Sequence, residues 1–218
     1  MLVLVDQDTP LADFDGGFAA RWAEKHPDRP VVSSEHRKSF HLRDDYPAEY
    51  RDDIMEIQTS PGFILGLQPV PGALQALHEM QEAGDDVWIL TSPLTRYNNC
   101  VGEKFAWVDR HLGSDWVRRV ILTKDKTMVR GDVLIDDKPE VTGCLTPTWE
   151  HLVFEAGYNV GAPHRRVNWD NWRLVLDQVR LGQQPTSGID WHGMVDGMAI
   201  QGRPASRVHR HWYDGPPR

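Results

Sequence analysis

The chain has 218 residues and a mass of 24.9 kDa, with 40% hydrophobic and 26% charged residues; this suits one medium globular domain, or a core domain with a smaller insertion. A formal net charge of -8 argues against non-specific binding along a nucleic-acid polymer, which needs clustered Lys and Arg, but leaves room for a small anionic substrate held by a cation and a few lysines. No run of 18 apolar residues and no leader-like N-terminus is present, so we expect no membrane partner, a cytoplasmic location, and reduced thiols at Cys100 and Cys144.

Residues 2–5 (LVLV) form a short apolar run of the kind a buried strand supplies, and Asp6, Asp8, Asp13 and Asp15 follow at once. A buried strand cannot hold unpaired charge, so these carboxylates belong beyond its carboxyl end, where open α/β sheets place their ligands. Residues 18–25 carry Phe18, Ala19, Trp22 and Ala23 at helical spacing. Residues 28–71 are polar, contain His36, Arg37, Lys38, His41 and Arg43, predict one helix over 48–58 and no strand, and read as an insertion. A helix over 72–82 faces Leu74, Leu77 and Met80 toward a sheet.

The opening pattern then recurs. Residues 87–90 form a second apolar run ending in Thr91 and Ser92. A helix over 104–112 is expected to bury Phe105, Trp107 and Val108. Residues 120–122 precede Lys124, Asp125 and Lys126; residues 133–135 precede Asp136 and Asp137; residues 151–154 make a fifth strand candidate. Alternating strands and helices imply a parallel sheet with helices on both faces, whose strand-end residues converge on one rim.

That rim would hold Asp6, Asp8, Thr91, Ser92, Lys126, Asp136 and Asp137. Carboxylates with lysine and hydroxyls suit phosphoryl transfer. Asp6 is the carboxylate nucleophile that would form an aspartyl-phosphate, and Asp8 the acid and then base. A hard cation, Mg²⁺, would be held by Asp6, the Asp8 carbonyl and one of Asp136 and Asp137, while Thr91, Ser92 and Lys126 would bind phosphoryl oxygens. Taken singly, each has an ordinary structural alternative: an Asx turn for Asp6 and Asp8, a helix cap for Thr91 and Ser92, a solvated side chain for Lys126. Adjacent Asp136 and Asp137 resist one, because neighbouring like charges are unfavourable without a cation.

The set of DxD, Thr-Ser, Lys and Asp-Asp resembles the haloacid-dehalogenase-like phosphohydrolases, and more narrowly the 5'(3')-deoxyribonucleotidases. The stretches that carry the resemblance are DQDTPLADFDGGF (6–18), LTSP (90–93), EKFAWV (103–108), LTKDKT (122–127), LIDDKP (134–139) and PTWEHLVF (147–154). The resemblance implies an α/β fold with a Rossmann-like core, residues 1–14 and 72–180, around a central parallel sheet. It implies a small helical cap inserted after the first strand, residues 15–71, and leaves residues 181–218 as an extension of unknown role. It implies a Mg²⁺-dependent phosphatase acting on (deoxy)nucleoside monophosphates, with Asp137 the metal ligand of its pair and Asp136 orienting its neighbours. It also implies Lys104 near the site and paired with a carboxylate, aromatic nucleotide contacts from Phe14 and Phe40, and a homodimer as a common state. Phe14 and Phe40 could instead simply pack in the core, and His41 could lie in the pocket or on the surface.

Three departures from the family pattern stand out. Thr9 and Pro10 replace Gly and an aliphatic residue beside Asp8; His41 and Gln58 replace aromatic residues of the base pocket; and the tail, with Trp191, His192, His209, His211 and Trp212, has no counterpart. Two rivals follow: the same chemistry on a modified nucleotide or another small phosphomonoester, and a nucleotide-binding protein that has lost catalysis. DNA-end processing is disfavoured by the charge.

Overall fold

The computed structural model describes residues 1–182; the aromatic and histidine residues singled out in the tail lie outside the described residues. Short apolar runs become β1 (Leu2–Val5), β2 (Asp86–Thr91), β3 (Val120–Leu122), β4 (Val133–Asp136), β5 (Glu150–Phe154) and β6 (Arg165–Val167). All pairings are parallel, in the order β3-β2-β1-β4-β5-β6. The helices are α1 (Phe14–Lys25), α2 (Arg51–Thr59), α3 (Ala73–Glu82), α4 (Cys100–Leu112), α5 (Ser114–Val117) and α6 (Trp172–Arg180). None of them is long and apolar enough to cross a membrane.

Register decides where the site falls. Val5 stands opposite Ile89 of β2 and Ile135 of β4, so β1 and β4 end level. The Asp6 N–H donates to the Ile135 carbonyl at 2.8 Å. From β1 the chain winds to β2 and β3 on one side, and β4 to β6 lie on the other, which makes the β1/β4 gap the switch point where such sheets bind ligands.

The two faces of the sheet are covered differently. Val3, Val5, Val87, Ile89, Val133 and Ile135 join Phe18, Leu77, Trp107, Val175 and other buried helix residues in the main core. Leu4, Leu90, Leu134 and Trp149 form a second core, closed by Trp88, Ile121, Val129 and Val141. The expectation of helices on both faces is therefore corrected: the connections at residues 123–132 and 137–149, which supply Val129, Val141 and Trp149, contain no α-helix.

Other boundaries also moved. Helix α1 begins at Phe14 because the Asp13 side chain accepts from the Gly16 N–H at 2.9 Å. Asp15 is buried and paired with Arg37. Helix α4 starts before Lys104, and it buries Lys104 with Trp107 and Val108 while Phe105 is only half-buried. Strand β6 and helix α6 were not anticipated. Both cysteines are free, Cys100 buried and Cys144 exposed.

Candidate active site

The carboxyl ends of β1 and β4 and the turn after β3 deliver Asp6, Asp8, Asp136, Asp137 and Lys126 to the wall of one cavity of about 470 Å³. Ser92, just past β2, lies on the same wall. Phe14, Phe40, His41 and Gln58 line it as well. Thr91 and Lys104 do not. Both are fully buried, and they form a support behind the wall: the Lys104 ammonium donates to Asp8 Oδ1 at 2.6 Å and to Thr91 Oγ1 at 2.9 Å. Lys104 is thus near the site and paired with a carboxylate, as the resemblance implies, because α4 aims it inward, and Thr91, as the last, interior residue of β2, meets Lys104 rather than the cavity.

Lys126 sits between two carboxylates, 2.9 Å from Asp6 Oδ1 and 2.6 Å from Asp136 Oδ2. Asp6 Oδ1 also accepts from the Gln7 N–H at 2.8 Å, which leaves Oδ2 without a hydrogen-bond partner among the described residues. Asp136 Oδ1 accepts from the Lys138 N–H at 2.9 Å. Asp137 is held differently: the Tyr158 hydroxyl donates to its Oδ2, and Asn159 Nδ2 donates to its carbonyl at 2.7 Å.

Electrostatics follow from this crowding. Burial raises the pKa of Asp6 despite Lys126, and raises that of Asp8 despite Lys104. Asp137 lies well above the usual carboxylate range, first because it is buried and then because Asp136 and Asp6 add like charge. Burial works against a charged Lys126, but Asp136 and Asp6 outweigh it and push its pKa up. Oxygens of Asp6, Asp136 and Asp137 lie within 4.8 Å of one another, and Lys126 is the only cation paired with this trio among the described residues. An all-oxygen donor set with excess negative charge fits a hard divalent cation such as Mg²⁺.

Several wall residues had no site role assigned from the sequence, although Thr9 stood out there as a departure beside Asp8. Thr9 lines the cavity with a left-handed backbone, φ 76°. Arg37, only 4% exposed, pairs with Asp15 and, at 3.2 Å, with Asp45. Lys124 and Lys138 bring further positive charge. The signal for Lys124 and Lys138 was present, since Lys138 directly follows Asp137 and Lys124 stands two residues before Lys126. Arg37 gave none, because an arginine in a polar segment reads as solvated until its carboxylate partners are known.

The chain is similar to known proteins of one family. The family model described as "5' nucleotidase, deoxy (Pyrimidine), cytosolic type C protein" matches residues 1–182. The human protein named 5'(3')-deoxyribonucleotidase, cytosolic type, is 47% identical over 193 residues, covering 84% of this chain and 96% of that one. The human mitochondrial 5'(3')-deoxyribonucleotidase is 40% identical over 190 residues, covering 82% and 83%. Among solved structures, a HAD family hydrolase from Deinococcus radiodurans, crystallised with phosphate and sodium, superposes with a TM-score of 0.51 at 16% identity over 85% of this chain and 98% of that one. That likeness concerns the fold alone.

Proposed function

The chain belongs to the 5'-nucleotidase, deoxy (pyrimidine), cytosolic type C family, whose members are phosphoric monoester hydrolases, and we propose that it hydrolyses deoxynucleoside monophosphates to nucleoside and phosphate with Mg²⁺. The observation that carries this is the convergence of Asp6, Asp8, Lys126, Asp136 and Asp137 on one cavity at the switch point of the sheet. The human relatives' names support the nucleotide substrate, and the cytosolic one a cytoplasmic location.

Asp6 Oδ2, left without a partner, attacks phosphorus while the bond to the nucleoside oxygen breaks. Asp8, whose raised pKa favours the protonated acid, gives its proton to that leaving oxygen. Asp8 then takes a proton from the water that cleaves phospho-Asp6, and phosphate leaves with Asp6 restored. Lys104 holds Asp8 in place. Lys126 keeps Asp6 Oδ1 turned away from the reacting side and, with Ser92, meets the phosphoryl oxygens. Asp6, Asp137 and the Asp8 carbonyl would hold Mg²⁺, which when bound offsets the repulsion between an anionic nucleophile and an anionic phosphate. Residues 15–71 act as the cap, contributing Phe40 and His41, which with Phe14 at the start of α1 enclose the nucleoside.

Two measurements test this. Purified protein with Mg²⁺ should release phosphate from at least one deoxynucleoside monophosphate in a panel of small phosphomonoesters; none at all would end the proposal. Asp6→Asn should cut turnover at least ~1,000-fold without changing the melting temperature by more than a few degrees. His41 and Gln58 on the wall favour a second reading, a modified nucleotide or other phosphomonoester, and the rank order within the same panel separates the two.

A further inference from the structure

We propose that Tyr158 is a positioning residue for the cation site: its hydroxyl orients the Asp137 carboxylate, and the inserted segment fixes Tyr158 in turn. The inference rests on assigning Asp137 to the cation.

Asp137 has little else to orient it. Lys126 serves Asp6 and Asp136, and the Tyr158 hydroxyl is the hydrogen-bond donor to the Asp137 carboxylate among the described residues. A carboxylate with free rotation about its last bond must be ordered before it binds a cation in defined geometry, and an outer partner commonly does this.

Tyr158 is itself gripped from two sides. The Arg37 guanidinium lies 4.4 Å from the centre of its ring, and the Phe40 ring meets it edge-on at 6.0 Å. Arg37 cannot drift, because it pairs with Asp15 and Asp45 and donates to the carbonyls of Ser39 and Phe40 at 2.8 and 2.7 Å. From below, Asn159 ties the turn to the sheet by donating to the carbonyls of Asp137 and Phe154 at 2.7 and 2.8 Å. The backbone at Gly157 approaches residues 34–37 so closely that a Cβ there would stand 2.8 Å from the Ser34 oxygen and 3.1 Å from that of Arg37. The turn at Gly157–Asn159 is thus a mechanical link between a segment that lines the substrate cavity and a carboxylate at its floor. Thr9, in the loop that follows Asp6, reaches the same hydroxyl.

The test uses the full-length protein and Mg²⁺ alone. Calorimetric titration of wild type and Tyr158→Phe, without substrate, should show Mg²⁺ binding about 10-fold weaker in the variant. The Phe variant keeps the ring and its contact with Arg37, so its melting temperature without Mg²⁺ should move by only a few degrees. In turnover assays the Mg²⁺ concentration for half-maximal rate should rise by about the same factor, with kcat restored to within about two-fold at saturating Mg²⁺. A general structural defect would instead depress kcat at every Mg²⁺ concentration, and that pattern overturns the inference. So does wild-type-like Mg²⁺ affinity in Tyr158→Phe, or loss of its cooperative unfolding. If wild type itself fails to bind Mg²⁺, the assignment of the cation site falls first, and the two failures are distinguished.

Discussion

Thr9 is the one non-glycine residue with a positive φ among the described residues, at a position where the resemblance implies glycine. Left-handed backbone costs an L-residue roughly 1–2 kcal/mol, part of which glycine returns through its freer unfolded chain. Thr9→Gly should therefore stabilise the protein by up to about 1 kcal/mol in urea unfolding; a loss of stability would mean that the threonine side chain's approach to Tyr158 outweighs the backbone strain. At this scale the residues gathered on the cavity wall were the legible part. Asp6, Asp8, Asp136 and Asp137 all lie at the ends of buried apolar runs, and carboxylates gathered there point to chemistry. Lys104 was legible through the resemblance as a lysine near the site paired with a carboxylate; which carboxylate was not, and only the fold shows that it is Asp8. Arg37 and Tyr158 were silent, because their meaning lies in partners 22 and 21 residues away in the chain.

Among the elements, the connections after β3 and β4 are held to each other by Asp125. Its Oδ1 accepts from the Thr127 N–H at 2.9 Å and its Oδ2 from the Cys144 N–H at 2.8 Å. The Thr127 hydroxyl, which also donates to Oδ1, and then the Cys144 N–H favour the ionised form and hold its pKa far below the usual carboxylate range. The pair of connections carries Lys126 on one side and the cavity residues Val141 and Thr142 on the other. Asp125→Ala should leave the sheet folded but free residues 139–145, which would then exchange amide hydrogens and suffer proteolysis faster than in wild type, with a lower kcat; unchanged exchange there would show that packing alone holds the loop. Elements with a continuous apolar run were legible for the reason that parallel strands are buried on both faces. Strand β6 was not: its sequence is Arg-Arg-Val, and its arginines lie at a sheet edge where Arg165 is paired with Glu150 at 2.9 Å. Helix α6 follows so closely on a Trp- and Asn-rich turn that its apolar stripe of Trp172, Val175 and Leu176 had no clear start signal.

For the molecule as a whole, His151 makes stability depend on pH. Burial, then the nearby His164, pull its pKa down to about 4. Unfolding returns it toward its ordinary value near 6.5, so between those values the unfolded chain binds the extra proton and stability falls as the solution is acidified. The full loss, reached below about pH 4, is at most about 3 kcal/mol by the same linkage. Asp6, Asp8 and Asp137 act with the opposite sign, since their raised values favour proton uptake by the folded form. The histidine contribution is therefore read as a difference: the gap in unfolding free energy between wild type and His151→Gln should widen in the variant's favour from pH 6.5 to 4, and a gap constant with pH would place the proton elsewhere.

The hydrogen bond from the Asp6 peptide to Ile135 has a wider meaning. The spacing between Asp6 and Asp136 is set by the ladder of two adjacent strands, a distance that no change of side chain in the surrounding loops can alter. The wall above is built from residues such as Phe40, His41, Met55 and Gln58, none of which takes part in that ladder. Descent with modification can therefore rework which molecules are admitted while the reacting centre stays dimensionally constant. A chain of this architecture is free to explore new substrates without first surrendering its capacity to turn any of them over.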